Sequence, residues 1–333
     1  MAENLEVTIK NEPRKGNEHD GAVYHEIDGY FVCTAFADQC IREALSYKPH
    51  PGDIFIVSYP KCGTTWMQHI VYNILNDRPP PKDLLEQSAA MPFLELQGAE
   101  SADAMPRPGA IKTHMPFHLH PYSTKAKYIY ITRNPYDCCI SFYYHTKSMP
   151  DYRFEDGTFD EFLDMFLDGH VDFGDYFEHL VSWYTRRFDD NVLFVTYEDL
   201  KNNTACWIIR IADFIGEKYG RELRQNKGTL ARLVSNTSVE FMQVSVNECT
   251  RKVNDDMKTI PENDKPRWMK LVEEAAGEEI MNKPITGDFV RKGVVGDWRN
   301  HFTPEQVIRM KNRIAAKTAG SDVMNLWKDI GLP

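Results

Sequence analysis

The stretch Asp53-IFIVSYPKCGTTWMQHIVYNIL-Asn76 decides how this chain is read. Its first part, Asp53 to Tyr59, is a short β-branched and aromatic run closed by Pro60, the composition of a buried strand. From Thr65 to Asn76 apolar residues recur at helical spacing, and the pattern stops before Arg78-Pro-Pro-Pro-Lys82, which no helix enters. Between strand and helix lies Pro60-Lys-Cys-Gly-Thr-Thr65. Backbone N–H groups at a helix N-terminus, with Gly63 and the hydroxyls of Thr64 and Thr65, form a cradle for a phosphate, and Lys61 adds a mobile cation. The order differs from GxxxxGK[ST], because Lys61 precedes the loop's only glycine. Taken alone, the same turn is equally a capped connection with a surface lysine, so the rest of the chain must arbitrate.

Working outward, Lys127 to Thr132 reads as a second strand, Tyr136 to Lys147 as a second helix and Asn191 to Tyr197 as a third strand. Alternation of this kind predicts an α/β fold: a single domain with a central parallel sheet flanked by helices, and ligand chemistry at the carboxyl ends of the strands. Further amphipathic helices are expected over Phe159–Leu167, Tyr176–Arg187, Thr204–Ile215 and Pro304–Ala316. The segment Cys249–Lys292 mixes charge, Asn and Pro with isolated aromatics, and is expected to be a long, partly ordered loop. The first 20 residues, polar and without periodicity, read as a disordered leader to one domain spanning 21–333.

Composition narrows the class. With 333 residues and 42% hydrophobic content the chain buries a large core, and a net charge of −10 argues against a general nucleic-acid partner. No basic-plus-apolar signal segment and no apolar run of bilayer length stands out, which predicts no membrane association and a cytoplasmic location. Seven cysteines, an odd number including the vicinal Cys138-Cys139, fit reduced thiols, and no pattern suggests a metal site.

Four motifs then agree. Tyr59-Pro-Lys-Cys-Gly-Thr-Thr-Trp66 resembles the 5′-phosphosulfate loop of the cytosolic sulfotransferases, with Cys62 where a serine often stands. Lys112-Thr113-His114 resembles that family's Lys-Thr-His, and Arg133-NPYDCCI-Ser141 its 3′-phosphate segment. Arg291-Lys292-Gly293 followed by Gly296-Asp297-Trp298 resembles its RKGxxGDW signature. The resemblance spans Tyr59 to Trp298 and implies an enzyme that takes a sulfuryl group from 3′-phosphoadenosine 5′-phosphosulfate (PAPS), leaves 3′-phosphoadenosine 5′-phosphate (PAP), and needs no metal.

Sulfuryl transfer is an in-line displacement, so it asks for a base near neutral pKa and a cation at the leaving oxygen. His114 suits the first task and Lys61 the second. Lys112, two residues from His114 on an extended segment, lies on the same side and is expected to support the transferred oxygens. The resemblance implies that Lys61, Cys62, Gly63, Thr64, Thr65 and Trp66 hold the 5′ end of the donor. It implies that Arg133, Ser141, Arg291, Lys292 and Gly293 hold the 3′-phosphate, with Ser141 also restraining Lys61, and that Trp66, Tyr197, Thr237 and Phe289 surround the base. Val239, where the family usually has phenylalanine, and Val290 in place of methionine are departures in that region.

The family places its acceptor in an apolar pocket facing the base. Phe93 matches a pocket-lining position, and Phe36 and Tyr144 are further candidates beside Lys112 and His114. A phenol, catechol, aromatic amine or steroid is the implied small-molecule acceptor. The segment Arg299 to Ile308 departs from the family's dimer motif, leaving a monomer or a homodimer open. Two rival readings are a nucleotide kinase, which would need a Walker loop and a metal-binding Asp, and an inactive module that binds the nucleotide or an amine.

Overall fold

The structure, a computed structural model, describes residues 23–333, so the leader expected over 1–20 lies outside the described residues. Six strands occur among them: β1 (Tyr24–Ile27), β2 (Tyr30–Cys33), β3 (Asp53–Val57), β4 (Gly109–Thr113), β5 (Lys127–Thr132) and β6 (Val192–Thr196). The early helices are α1 (Asp38–Ser46), α2 (Thr64–Asn76), α3 (Leu84–Ala90), α4 (Leu94–Ala104), α5 (Pro135–Ser148), α6 (Phe159–Asp168) and α7 (Tyr176–Tyr184). After β6 come α8 (Tyr197–Asn202), α9 (Thr204–Ile215), α10 (Glu217–Gln225), α11 (Lys227–Asn236), α12 (Val239–Thr259), α13 (Arg267–Asn282) and α14 (Pro304–Lys317).

The larger sheet is parallel throughout, in the order β4-β3-β5-β6, as expected of strands separated by helices. Because side chains alternate along a strand, β3 sends Ile54 and Ile56 to one face and Phe55 and Val57 to the other. The first pair joins Met67 and Ile70 of α2 and Ile208 and Ile211 of α9. The second joins Tyr128 and Tyr130 of β5, Phe142 of α5 and Trp183 of α7. With both faces covered, all five residues of β3 are buried, which is why its sequence is an apolar run instead of an alternating one.

From β3 the chain crosses to β4 on one side and then returns to β5 on the other. The carboxyl end of β3 is therefore a switch point where the chain diverges and leaves a crevice. Three motifs leave the sheet there: Pro60–Thr65 after β3, His114 after β4 and Arg133 after β5.

Four expectations need correction. Cys249–Lys292 is not a long loop: α12 and α13 occupy most of it, separated by a turn around Pro261 and Pro266. Their buried residues Met257, Trp268, Met269 and Met281 join Ala37 and Cys40 of the α1 region in a third apolar cluster. The sheet also holds a strand that the pattern reading left unassigned, β4, on the edge beside β3. The helix expected to reach Arg187 ends at Tyr184, and Tyr197, expected at the end of a strand, is the first residue of α8.

Candidate functional site

The cradle forms because Lys61 and Gly63 take left-handed backbone angles, with φ of 65° and 108°, which turn the chain from β3 directly into α2. A Cβ on Gly63 would stand 3.0 Å from Ile131 Cδ1 and 3.1 Å from Tyr197 Cδ2, so the position needs both the angle and the space of glycine. Ser58 and Thr64 hydroxyls lie 2.5 Å apart across the turn. The loop opens into a cavity of about 580 Å³ at the switch point.

That cavity is lined by Lys61, Gly63, Thr64, Thr65, Trp66, Phe36, Phe93, Lys112, His114, Arg133 and Ser141. Tyr197, Thr237, Phe289, Arg291, Lys292 and Gly293 complete the expected set within it. Residues from Phe36 to Gly293 are thus brought together by the fold. Two expected residues stand apart. Cys62 is buried with its Sγ 3.6 Å from Cys138 Sγ, and its N–H donates to the Tyr59 carbonyl. Tyr144 is exposed, with its ring under the Arg291 guanidinium and against His301.

His114 is held by two hydrogen bonds. Its backbone N–H donates to Glu95 Oε1 at 2.5 Å, and the same oxygen accepts from Thr113 and Tyr30 hydroxyls at 3.0 Å each. Its Nδ1 lies 2.7 Å from the carbonyl oxygen of Ser58. A carbonyl only accepts, so Nδ1 carries the proton and Nε2 keeps its lone pair. Burial first, then the charge of Lys112, hold the imidazole well below its ordinary pKa, so the ring is neutral at pH 7. Phe93 and Phe173 pack on it at 5.3 Å and 4.8 Å between ring centres, and Phe36 touches both phenylalanines edge-on.

The lysines feel the same desolvation. Burial, reinforced by the neighbouring Arg133 and Lys112 charges, lowers Lys61 to about 7. Lys112, whose ammonium lies 3.9 Å from the centre of the Phe93 ring, falls to about 8 by burial. Lys61 donates to the Phe289 carbonyl at 3.2 Å and sits over the Phe289 ring, so in this state it is Phe289 that engages Lys61, while Ser141 lines the cavity nearby. An anion entering would restore both lysines toward their ordinary values.

The distant motifs meet through hydrogen bonds. Asp137, in the first turn of α5, accepts from the N–H groups of Gly296 at 2.7 Å and Trp298 at 3.0 Å, tying the late loop to the helix that follows Arg133. Arg133 donates to the Val294 carbonyl at 2.9 Å and covers the Tyr197 ring, which meets Trp66 edge-on. Asp297 accepts from Arg291 at 2.6 Å and Lys292 at 2.8 Å. Behind Arg133, Asn134 caps α5 and donates to Glu198 Oε1, while Trp327 near the C-terminus donates to Glu198 Oε2.

Several lining and supporting groups were not found from sequence. Phe173 follows α6 in a turn and carries no pattern of its own. Asn247 of α12 grips Val290 on both sides, accepting from its N–H at 2.7 Å and donating to its carbonyl at 3.3 Å, and Gln243 donates to the Arg291 carbonyl at 2.7 Å. Both lie on the first half of α12, ahead of the segment Cys249–Lys292 expected as loop, and carry no sequence signal of their own.

Buried N–H groups without partners show what the cavity can accept. Trp66 Nε1, Arg133 Nε and Arg291 Nε each lack a hydrogen-bond partner. Unpaired buried donors are costly, so an anionic and nitrogen-rich ligand such as a phosphorylated adenosine fits them.

Comparison with known proteins agrees with this geometry. Residues 51–322 match the model of the sulfotransferase domain. Sulfotransferase 1B1 of Mus musculus is 33% identical over 306 residues, covering 89% of this chain and 92% of that protein. Among solved structures, mouse sulfotransferase SULT7A1 complexed with PAP superposes with a TM-score of 0.68 at 25% identity, covering 93% of this chain and 99% of the other. Retinol dehydratase in a complex with retinol and PAP shares the fold, with a TM-score of 0.64 at 23% identity, covering 88% of this chain and 89% of the other.

Proposed function

Because the chain belongs to the sulfotransferase family, transferring sulfuryl groups from PAPS, we propose which of its residues perform the transfer and what kind of molecule receives the group. His114 is the base: its Nε2 takes the proton of an acceptor hydroxyl or amine as that atom bonds to the donor sulfur. The bond between sulfur and the 5′-phosphate oxygen breaks, its electron pair stays on the departing PAP, and the Lys61 ammonium meets the charge that builds there. Lys112 supports the sulfuryl oxygens in flight. Thr64, Thr65 and the backbone of the loop, with Cys62 contributing no more than its place in the turn, cradle the 5′-phosphate at the N-terminus of α2. Arg133, Ser141, Arg291, Lys292 and Gly293 receive the 3′-phosphate; Trp66, Tyr197, Thr237 and Phe289 receive the adenine.

The observation that carries this reading is the tautomer of His114. A neutral ring with Nδ1–H committed to Ser58 presents a free lone pair in the same cavity as Lys61. The acceptor is a small aromatic or steroid-like molecule packed against Phe36, Phe93 and Phe173, whose mutual ring contacts make an apolar wall beside that lone pair. All seven cysteines are free thiols, which suits a cytoplasmic enzyme; no described helix is long and apolar enough to cross a membrane. A monomer, or a homodimer through a surface other than the Arg299–Ile308 segment, is the assembly we expect.

Transfer of radiolabelled sulfate from PAPS to a panel of phenols, catechols, amines and steroids tests the assignment, with ATP as the control donor. Sulfated product lost in His114→Ala supports it. Tight PAP binding with no transfer to any acceptor would mark an inactive binding module instead.

A further inference from the structure

A second cavity, of about 320 Å³, lies between the second half of α14 and the 3₁₀ helix Val323–Ile330, and shares no lining residue with the first. Small-molecule sites begin at roughly that size. Tyr136 and Trp327, both buried, line it together with the aliphatic side chains of Ile314, Met324 and Leu332. Trp327 has already given its indole N–H to Glu198, so what it offers a ligand is ring surface. Tyr136, in the first turn of α5, stacks on Trp298 with ring centres 4.8 Å apart, and its buried hydroxyl has no hydrogen-bond partner. Buried tyrosine hydroxyls normally find one, so this orphan is a donor waiting for an oxygen.

Charge identifies the rest of the ligand. Along α14, Arg309, Arg313 and Lys317 are each paired with an acid of the α6–α7 region, Asp164, Asp175 and Glu178. Lys311 of the same helix and Lys328 line the cavity, and among the described residues neither pairs with an acid. Two aromatic rings, an aliphatic wall, an unused hydroxyl and two uncompensated cations are satisfied together by a flat ring carrying one anionic group. The cavity is also wired to the nucleotide end. Glu198, held by Trp327 at one oxygen, accepts at the other from the Asn134 backbone N–H at 2.9 Å and side-chain amide at 2.7 Å, and Asn134 adjoins Arg133.

We propose that this cavity is a regulatory site for a small aromatic anion, an aryl sulfate or aryl carboxylate, and that its occupation tightens the grip on PAP. A ring seated against Trp327 holds that side chain on Glu198, which keeps Asn134 and the start of α5 in place. Transfer to a phenol yields an aryl sulfate, so accumulated product acts back on the enzyme from outside the reacting cavity. The coupling, though not the site itself, rests on Arg133 receiving the 3′-phosphate.

The probes are 4-nitrophenyl sulfate and 4-nitrobenzoate, with nitrobenzene as the neutral control. Each is titrated calorimetrically into the full chain, free and saturated with PAP, for the wild type, the double variant Lys311→Ala/Lys328→Ala, and Ala315→Trp, which fills the cavity. Both variants should melt like the wild type and keep its kcat/KM without probe. The anions should bind the wild type at a site that each variant weakens by roughly tenfold or more; occupancy of the acceptor pocket survives in the variants and is thereby subtracted. Saturating probe should lower the Kd of PAP by about fivefold or more, and PAP the Kd of the probe by the same factor. A tighter sulfate assigns the site to product and a tighter carboxylate to an external aryl acid, the shared chemistry standing in either case. Probe binding and PAP affinity that neither variant moves, nitrobenzene binding as tightly as the anions, or a filled site with unchanged PAP affinity overturns the proposal. Arg133→Ala should leave probe binding to the nucleotide-free protein intact and abolish the coupling; coupling that survives it keeps the site and removes Arg133 from the nucleotide assignment.

Discussion

The His114 ring hangs from the Ser58 carbonyl, 2.7 Å from its Nδ1, so the residue after β3 sets the tautomer of the residue after β4. Adjacent parallel strands end in register here, Val57 opposite Thr113, which brings the two groups together without any loop to position them. Replacing His114 by Ala or Gln should lower kcat by ~10²–10⁴-fold, the usual share of general acid–base catalysis. PAP should still raise the melting temperature of both variants; loss of that shift would mean the ring builds the nucleotide site instead of the reacting one.

Proton uptake should accompany nucleotide binding. In the free protein Lys61 titrates at about 7 and Lys112 at about 8, so at pH 8 Lys61 is mostly neutral and Lys112 about half so. Bound phosphates draw both back to the charged form. Calorimetry in buffers of different ionisation enthalpy should show uptake of roughly one and a half protons per PAP at pH 8 and almost none at pH 6, with affinity falling as pH rises through 7 to 8. Proton release at pH 8 would contradict the depressed lysine values.

Asn247→Ala removes both hydrogen bonds to Val290 and leaves its backbone groups unpaired, a cost of about 1–3 kcal/mol. Since Val290 precedes Arg291, PAP affinity should fall by roughly tenfold, while AMP, which lacks the 3′-phosphate, should lose less. Equal losses for the two nucleotides would detach the clamp from that phosphate.

Gly63→Ala meets both Ile131 and Tyr197 while its backbone holds φ of 108°. Strain of about 1–3 kcal/mol is expected from the angle alone, read as a lower melting temperature together with loss of PAP binding. A fully stable variant that binds PAP normally would show that the cradle does not need glycine.

The 3′-phosphate should dominate recognition. At a concentration of 100 times its Kd, PAP should stabilise the protein by about 2.7 kcal/mol, and AMP at the same concentration by far less. If AMP matched PAP, the roles given to Arg133, Ser141 and Arg291 would be wrong.

The nucleotide end was legible because its chemistry is local: a strand, a glycine turn and a helix within 24 residues announce an anion cradle, and their order alone predicts a parallel sheet. The α12–α13 region was not. Met242, Val246, Val253 and Met257 do recur at helical spacing, yet so many charges and prolines intervene that the stripe is weak, and only packing onto the α1 region makes it a helix pair. The hairpin of β1 and β2 was missed although Asp28-Gly29, both with positive φ, is the dipeptide that such a two-residue turn prefers.

Trp327, close to the end of the chain, reaches Asn134 through one shared carboxylate, Glu198, and Asn134 adjoins Arg133. The last residues are therefore not a dispensable tail. Cutting the polypeptide after Asp322 would free Glu198 on one side, loosen the turn that starts α5 and take Val323 and Trp327 out of the main apolar core, so a shortened protein would lose its hold on nucleotide and its stability together.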